Sequence, residues 1–314
     1  MDFALRSLVE SASTADARAT REFYQARPRA CALADYQQLL QVRAARQERF
    51  TGSGRAVVDT VNLAGYAVRI RIIEPLQRPI VGVLLHIPGG GFYMSSAVAD
   101  DERNVRRADA TGLVVVSVDY RLAPENPWPA APDDCAAAAE WLIARARDRF
   151  GTDRLLLGGF SAGATLAVVT LLRLRAGGTV GAFSGVLLEA GTYDLSPHTP
   201  SGPAVADDYF VEAYAGHVPD RTLPDISPAY GDLRDLPPTL VVVGSDDVVL
   251  PDNLLMAGRL SAAGNDVDLR IYPDVPHGFS NHPTPVGRTT TEATDAWLVS
   301  TLNRRATAFA GPGR

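Results

Sequence analysis

Cysteine is scarce in this chain: the 314 residues include only Cys31 and Cys135, which lie far apart. A disulfide framework needs several cysteines at regular spacing, and a structural zinc site needs them in close pairs. The sequence therefore argues against both kinds of stabilisation. We expect the two cysteines to be small, buried, apolar side chains.

An excess of positive charge is also missing, because 36 acidic residues outnumber 30 basic ones and give a formal net charge of -6. Nucleic-acid binding needs a basic surface that neutralises phosphates, so we expect no nucleic-acid partner. No run of 18 apolar residues occurs, and the first residues contain an acid, Asp2, instead of the apolar segment of a signal peptide. We therefore expect no membrane span and a soluble, cytoplasmic protein.

The composition is otherwise globular, 46% hydrophobic and 21% charged, with no low-complexity segment. After a predicted edge hairpin at 57–63 and 66–73, strand-like apolar runs alternate with helical segments, which is typical of parallel crossover units. This pattern predicts an α/β fold with a mostly parallel central sheet flanked by helices. The remaining strands are expected at 80–86, 113–120, 155–159, 185–190, 239–244 and 267–272, and the helices at 101–110, 132–147, 162–172, 253–263 and 290–302.

Two segments lack this alternation. Residues 1–50 have apolar residues at helical spacing, which predicts two or three helices with a break at Pro28. Residues 192–228 are rich in proline and contain one short helical stretch around 205–214. We interpret the two segments as a helical cap in which they fold against each other. The predicted organisation is a first cap segment at 1–50, a cap insertion at 192–228, and a core formed by 51–191 and 229–314.

The stretch Gly159-Phe160-Ser161-Ala162-Gly163 lies between a buried strand and a buried helix. A Gly-x-Ser-x-Gly pattern in this setting is typical of a nucleophile elbow, a strained turn that exposes a serine hydroxyl. The glycines remove β-carbons that would collide in so sharp a turn. An ordinary glycine and serine turn is the alternative, but the flanking strand and helix favour Ser161 as a nucleophile.

A serine nucleophile needs a base within hydrogen-bond distance and an acid that orients the base. His277 follows the last predicted strand, and Asp246 and Asp247 follow the strand that ends at Gly244. Parallel sheets hold their active sites at the carboxyl ends of the strands. We predict His277 as the base and favour Asp247 over Asp246 as the acid, whereas Asp252 fits the start of a helix better.

The triplet Gly89-Gly90-Gly91 follows another buried strand. Successive glycines allow backbone N–H groups to approach a substrate oxygen closely, as an oxyanion hole requires. The free N–H of Ala162, at the start of a helix, is a further donor. A flexible turn is the alternative, but the position of the triplet ahead of the elbow favours an oxyanion hole.

Four sequence blocks together resemble the hormone-sensitive-lipase-like branch of the α/β-hydrolases, a family of carboxylesterases. The resemblance runs from about residue 55 to the end of the chain, and the second block, which continues to Asp134, is its most specific part. The blocks are Gly89-Gly90-Gly91-Phe92, Asp119-Tyr120-Arg121-Leu122-Ala123-Pro124-Glu125, Gly159-Phe160-Ser161-Ala162-Gly163 and Pro276-His277-Gly278-Phe279.

This resemblance implies an α/β-hydrolase fold with a helical cap, a small-molecule ester or lactone as substrate, and no metal or organic cofactor. It leaves a homodimer open. By the same resemblance the nucleophile is Ser161, the general base and acid is His277, the orienting acid is Asp247, and the oxyanion hole is formed by the N–H groups of Gly90, Gly91 and Ala162.

Two positions depart from the family pattern. Pro88 stands where the family usually has a histidine directly before the glycines, with His86 two residues earlier, and Phe160 stands where the elbow usually has a polar residue. Proline lacks an N–H, but the expected donors follow it, so the oxyanion hole is compatible with a stiffer loop. Glu189, in an otherwise apolar strand, is either a buried acid or, as is commoner, a residue at an exposed strand end.

Two alternatives to ester hydrolysis through an acyl-enzyme are open, and the departures motivate the first of them. One is acyl transfer or cyclisation of a specialised metabolite on the same scaffold. The other is ligand binding without turnover, which we rank last because serine, histidine and two candidate acids are all present.

Overall fold

The computed structural model describes residues 10, 14–27, 33, 35–63, 65–94, 96–196, 198–199 and 208–309. The expected helix break at Pro28, the expected burial of Cys31 and the start of the cap helix predicted at 205–214 lie outside the described residues. So does Asp2, on which the expectation about the N-terminus rests.

Eight strands of the described chain form one sheet, in the order β1-β2-β4-β3-β5-β6-β7-β8 when numbered along the chain. The pairs β1 with β2 and β2 with β4 are antiparallel, and the other five pairs are parallel. This confirms the mostly parallel sheet and its edge hairpin. The strands are β1 (Val57–Leu63), β2 (Tyr66–Ile73), β3 (Gly82–Ile87), β4 (Leu113–Asp119), β5 (Leu155–Phe160), β6 (Phe183–Glu189), β7 (Thr239–Gly244) and β8 (Val267–Tyr272).

Helices cover both faces of this sheet, which is why its central strands are apolar along their whole length. Every residue of β3 and β7 is buried. The α-helices of the described residues are α1 (Thr14–Gln25), α2 (Tyr36–Arg49), α3 (Asp101–Thr111), α4 (Ala130–Phe150), α5 (Ala162–Ala176), α6 (Asp208–Ala215), α7 (Leu250–Ala262) and α8 (Pro285–Phe309). Of these, α4, α5 and α7 pack on one face of the sheet, and α3 and α8 pack on the other.

The predicted order of strands and helices after residue 55 is confirmed, but three helices begin earlier than expected. The starts of α4, α7 and α8 lie at Ala130, Leu250 and Pro285, whereas the sequence pattern predicted residues 132, 253 and 290. Each of these helices has a proline in its first turn. Proline is tolerated there because the first N–H groups of a helix have no partner within the helix.

The segments predicted to form the cap contact the core through specific groups. In α1, the hydroxyl of Thr20 accepts a hydrogen bond from the backbone N–H of Val286 (3.4 Å). In α2, Arg43 donates to the carbonyl oxygen of Tyr93 (2.7 Å) and to the carboxylate of Glu125 (2.5 Å). A third bond from Arg43 reaches the carbonyl oxygen of Ala123. One arginine therefore joins α2 to two separate loops of the core.

Cys135 is buried within α4, as expected, and burial raises the pKa of its thiol well above the ordinary value. The thiol is therefore protonated at neutral pH and behaves as a small apolar side chain. Among the described helices, none is both long enough and apolar enough to cross a membrane.

Candidate active site

Ser161 occupies the sharp turn between β5, which ends at Phe160, and α5, which begins at Ala162. Its backbone has φ 54° and ψ −122°, a strained conformation for a residue with a β-carbon. The turn is tight because its two glycines touch other backbone atoms. A β-carbon on Gly159 would lie 2.1 Å from the carbonyl oxygen of Gly163, and one on Gly163 would lie 2.0 Å from that of Ile87. The strand, turn and helix of the predicted elbow are confirmed.

Replacing Gly163 with alanine is expected to lower the free energy of unfolding by about 3 kcal/mol, because the new methyl group would collide with backbone that cannot move aside freely. Urea unfolding of the two proteins measures this difference. Gly258→Ala is the matched control. Gly258 lies within α7, and a β-carbon there would meet nothing within 4 Å, so this change should instead raise stability by about 0.5–1 kcal/mol. Equal stability of Gly163→Ala and the parent protein would contradict the tight elbow.

Ser161, His277 and Asp247 form a continuous row of hydrogen bonds. Nδ1 of His277 lies 3.0 and 3.1 Å from the two carboxylate oxygens of Asp247, and Nε2 lies 3.0 Å from Oγ of Ser161. A carboxylate only accepts hydrogen bonds, so Nδ1 carries the proton and Nε2 is free to accept one from the serine hydroxyl. The geometry is that of a nucleophile, a base and an orienting acid.

The structure separates the neighbouring acids between which the sequence left a choice. Asp247 is buried, whereas Asp246 is exposed and accepts a hydrogen bond from the hydroxyl of Ser245. Asp252 lies in the first turn of α7, where its carboxylate accepts a hydrogen bond from the backbone N–H of Tyr193. Of the three acids, Asp247 contacts His277.

The triplet Gly89-Gly90-Gly91 follows β3 and lies beside the serine, with φ angles of 117° at Gly90 and 62° at Gly91. Residues with β-carbons rarely adopt such angles, so the loop needs its glycines. Among the described residues, no hydrogen-bond acceptor is found for the N–H groups of Gly90, Gly91 and Ala162. These three groups are therefore available to receive an oxyanion.

A tyrosine that sequence reasoning did not single out supports this loop. The hydroxyl of Tyr120 donates a hydrogen bond to the carbonyl oxygen of Pro88 (3.0 Å). Burial raises the pKa of Tyr120 well above its ordinary value, so the hydroxyl stays protonated. Further support comes from Phe92, whose carbonyl accepts from the N–H of Ala123 (3.1 Å) and whose ring stacks on Tyr214 of α6 at 3.9 Å. The second sequence block thus contacts the glycine loop at two points.

Phe160, the unusual residue of the elbow, forms one side of the site. Its ring centroid lies 5.3 Å from that of His277. A β-carbon on Gly89 would lie 2.6 Å from the same phenylalanine ring. The aromatic ring therefore fills the space between the glycine loop and the histidine, and it makes that side of the site apolar.

Charged groups are buried beneath the site, which sequence reasoning largely missed. Glu189 is 4% exposed and pairs with the guanidinium of Arg103, which also contacts Asn281. The commoner expectation for Glu189, an exposed strand end, is therefore wrong. The acid is tolerated in the apolar strand because a buried arginine neutralises it. Arginines at helical spacing in residues 103–107 were the available signal, but their partners are too distant in sequence to identify.

His86 lies in the same buried region, 1% exposed, with Nδ1 3.1 Å from the hydroxyl of Ser117 and Nε2 3.7 Å from Asp100. Burial, followed by the nearby charges of Arg103 and Arg107, lowers the pKa of His86 well below its ordinary value. The imidazole is therefore neutral at pH 7 and is a buried polar side chain of the core.

The lowered pKa of His86 predicts a loss of stability in acid. Below about pH 6.5, His86 becomes protonated in the unfolded chain but stays neutral in the folded protein. The free energy of unfolding should therefore fall as the pH drops, by up to about 1.4 kcal/mol per pH unit for this residue. His86→Asn removes the titrating group. Urea unfolding at pH 7.0 and 5.5 should show a smaller decrease for the variant, and equal decreases would contradict the prediction.

A cavity of about 710 Å³ opens from Ser161 to solvent. Its wall contains the glycine loop, Phe160 and His277, together with residues that follow α1 or belong to α2 and α3. The volume suits a small molecule. The cavity thus brings together every sequence-predicted site residue except Asp247, which is buried behind His277, and Ala162.

Comparisons with known proteins agree with this geometry. A family model described as the alpha/beta hydrolase fold matches residues 84–281. Esterase LipI of Mycobacterium tuberculosis is 34% identical over 231 residues, which cover 69% of this chain and 71% of the relative.

Solved structures extend the similarity to nearly the whole chain. An esterase of Pyrobaculum calidifontis superposes with a TM-score of 0.76 and 27% identity over 92% of this chain and 99% of its own. A structure described as a hormone-sensitive lipase from a metagenome library gives a TM-score of 0.74 and 27% identity over 94% and 99%. The resemblance stated from four sequence blocks is confirmed, and the chain belongs to the alpha/beta hydrolase fold family.

Proposed function

We propose that this protein hydrolyses carboxylic esters or lactones of small molecules through an acyl-enzyme formed on Ser161. The observation that carries the proposal is the row of hydrogen bonds from Ser161 through His277 to Asp247, beside three N–H donors that have no acceptor among the described residues. Relatives named esterase, carboxylesterase and ethyl acetate hydrolase support it.

In the first half of the reaction, Oγ of Ser161 attacks the ester carbonyl carbon while Nε2 of His277 takes the hydroxyl proton. The carbonyl oxygen becomes an oxyanion that the N–H groups of Gly90, Gly91 and Ala162 stabilise. When the C–O bond to the alcohol breaks, the histidine gives its proton to the leaving oxygen. The products of this half are a free alcohol and an acylated serine.

In the second half, a water molecule attacks the acyl carbon and gives a proton to Nε2 of His277. The resulting oxyanion uses the same three donors, and its collapse releases the acid and returns the proton to Oγ of Ser161. Throughout, Asp247 holds the imidazole in one tautomer and stabilises the imidazolium that forms. The cycle consumes one water per ester and needs only the groups of this chain.

The cap segments, residues 1–50 and 192–228, are proposed to shape the pockets for the acyl and alcohol groups. In support, Arg27 and Arg46 line the cavity from the first segment, and Tyr214 packs against Phe92 from the second. The cytoplasmic location and the homodimer stay predictions.

Labelling with a fluorophosphonate tests the proposal directly, because such a reagent reacts with an activated serine and not with ordinary surface serines. We expect one adduct per chain, mapped to Ser161 by peptide mass spectrometry and suppressed by excess p-nitrophenyl butyrate. We also expect turnover of p-nitrophenyl acetate, butyrate and octanoate, with rates that report the depth of the acyl pocket. An unlabelled Ser161 in folded protein would overturn the acyl-enzyme, and labelling without turnover of any ester would favour acyl transfer.

A further inference from the structure

Four arginines contribute exposed side chains to the solvent-facing wall of the active-site cavity: Arg27 after α1, Arg46 and Arg49 in α2, and Arg106 in α3. We call these four residues the arginine rim. Among the described residues, no carboxylate is found in an ion pair with any of them. The rim comes from two helices and the segment after a third, which only the fold brings together.

Arginines elsewhere on the molecule are mostly paired. Arg55 binds Asp109, and Arg173 binds both Asp133 and Asp225. Arg234 binds Asp232 even at the surface. The chain has a formal net charge of -6. Against this background, four guanidinium groups with no carboxylate partner in the described part of the chain mark a place where positive charge is left available.

Acidic groups in the cavity wall do not cancel the rim. The wall contains Asp100 and Glu102. Burial raises the pKa of Asp100, Glu102 is exposed, and the two acids together carry at most two negative charges against the four positive charges of the rim. The deeper Arg103 is neutralised by Glu189, and burial lowers the pKa of His282. The mouth of the cavity is thus positive at neutral pH, whereas the walls beside Ser161 are apolar or uncharged.

The bonds that the rim arginines do form leave their guanidinium groups able to accept a ligand. The guanidinium of Arg46 donates to the backbone carbonyl oxygen of Met94 at a long 3.5 Å. Arg27 lies 3.4 Å from a ring nitrogen of His282, and Arg49 lies over the ring of Phe50 at 5.6 Å. An anionic oxygen group would replace these weak contacts with charge-assisted hydrogen bonds, for which the planar guanidinium is well suited.

We propose that the preferred substrates are esters that carry a carboxylate away from the ester bond, such as half-esters of dicarboxylic acids, with the carboxylate held at the arginine rim. This inference rests on the proposed ester hydrolysis. A carboxylate forms parallel hydrogen bonds with a single planar guanidinium, which the exposed arginines of the rim offer. The ester bond of such a substrate lies at Ser161 and its charge at the mouth.

The rim acts on binding and on the association rate, since its arginines take no part in the proposed bond-breaking steps. Exposed charges are screened by water and salt, so each arginine contributes little alone, but four of one sign attract an anion together. The predicted signature is a lower KM for the anionic ester with similar kcat, and a preference that declines as salt is added.

Monoethyl adipate and ethyl adipamate provide the test, because a neutral amide replaces the carboxylate at nearly constant shape. Measured by ethanol release at low ionic strength, kcat/KM should be about tenfold higher for the half-ester than for the amide. The ratio of the two values should fall toward one at about 0.5 M salt. In the double variant Arg49→Gln/Arg106→Gln the kcat/KM for the half-ester should fall about fivefold through KM, while the kcat/KM for the amide stays within about twofold.

Arg78→Gln/Arg145→Gln is the matched control. It removes the same charge from two exposed arginines that lie outside the cavity and for which no carboxylate partner is found among the described residues. It should leave both substrates unaffected. An equal kcat/KM for half-ester and amide in the unaltered protein would overturn the proposal that the arginine rim binds the carboxylate. Equal losses of kcat/KM in the two double variants would also overturn it.

Turnover of p-nitrophenyl butyrate separates this inference from the proposed function. If that ester is cleaved and the half-ester is not preferred, the inference about the rim fails and ester hydrolysis stands. If the folded protein cleaves no ester, the proposed function fails and takes the inference with it.

Discussion

Replacing Ser161 with alanine is expected to lower kcat for p-nitrophenyl butyrate by about 10⁶-fold, the loss typical of a serine nucleophile that acts with its base as one unit. The change removes only the hydroxyl oxygen that lies 3.0 Å from Nε2 of His277. The strained backbone angles are those of a residue with a β-carbon already, so alanine adds no new collision. Steady-state rates and a thermal unfolding curve for both proteins measure the two effects separately.

Ser300→Ala is the control for this change, since its hydroxyl bonds within α8 to the carbonyl oxygen of Trp297. Its rate should equal that of the unaltered protein. If Ser161→Ala kept more than about one hundredth of the turnover, with contaminating esterase excluded, another group would be the nucleophile and the acyl-enzyme would be wrong.

Asp247→Asn is expected to reduce kcat by about 10⁴-fold. The new side-chain amide can donate a hydrogen bond to Nδ1 of His277, where the carboxylate of Asp247 accepted one. This favours the imidazole tautomer with the proton on Nε2. That proton faces Ser161, so the histidine can no longer act as its base. Burial of Asp247, at 4% exposed, prevents water from replacing the lost acceptor. Initial rates across pH 6 to 10 should show the loss at every pH.

Asp246→Asn is the matched control, because it makes the same chemical change one residue earlier on an exposed side chain. Its rate should stay within about twofold of the unaltered protein, as for most surface substitutions. A larger loss from Asp246→Asn than from Asp247→Asn would assign the acid to the other residue and would require a different loop conformation in solution.

Local patterns were sufficient to predict the order of strands and helices and the position of the elbow. The reason is that the apolar run of β5, the glycines at 159 and 163, and the buried helix that follows are all adjacent in sequence. The acid was harder to choose, because a one-residue change in the loop after β7 exchanges Asp246 and Asp247. Hydrogen bonds to His277, 30 residues away, make the distinction.

Long-range pairs account for what the sequence could not predict. Glu189 was ambiguous because its partner, Arg103, lies 86 residues earlier. The arginine rim could not be predicted for the same reason. The sequences of α1, α2 and α3 have the pattern of ordinary polar helices, and only the fold brings these segments to one cavity. The cap division at 1–50 and 192–228 stays a prediction, because loss of alternation in a sequence does not say what a segment packs against.

The three hydrogen bonds of Arg43 make α2 and the catalytic loops thermodynamically linked. The same guanidinium holds the carbonyl of Tyr93, just after the glycine loop, and the carbonyl of Ala123, whose own N–H holds Phe92. By reciprocity, whatever favours the docked position of α2 also favours the oxyanion-binding shape of the loop, to the same extent in free energy. Helix α2 is in this sense an intramolecular effector of the candidate active site.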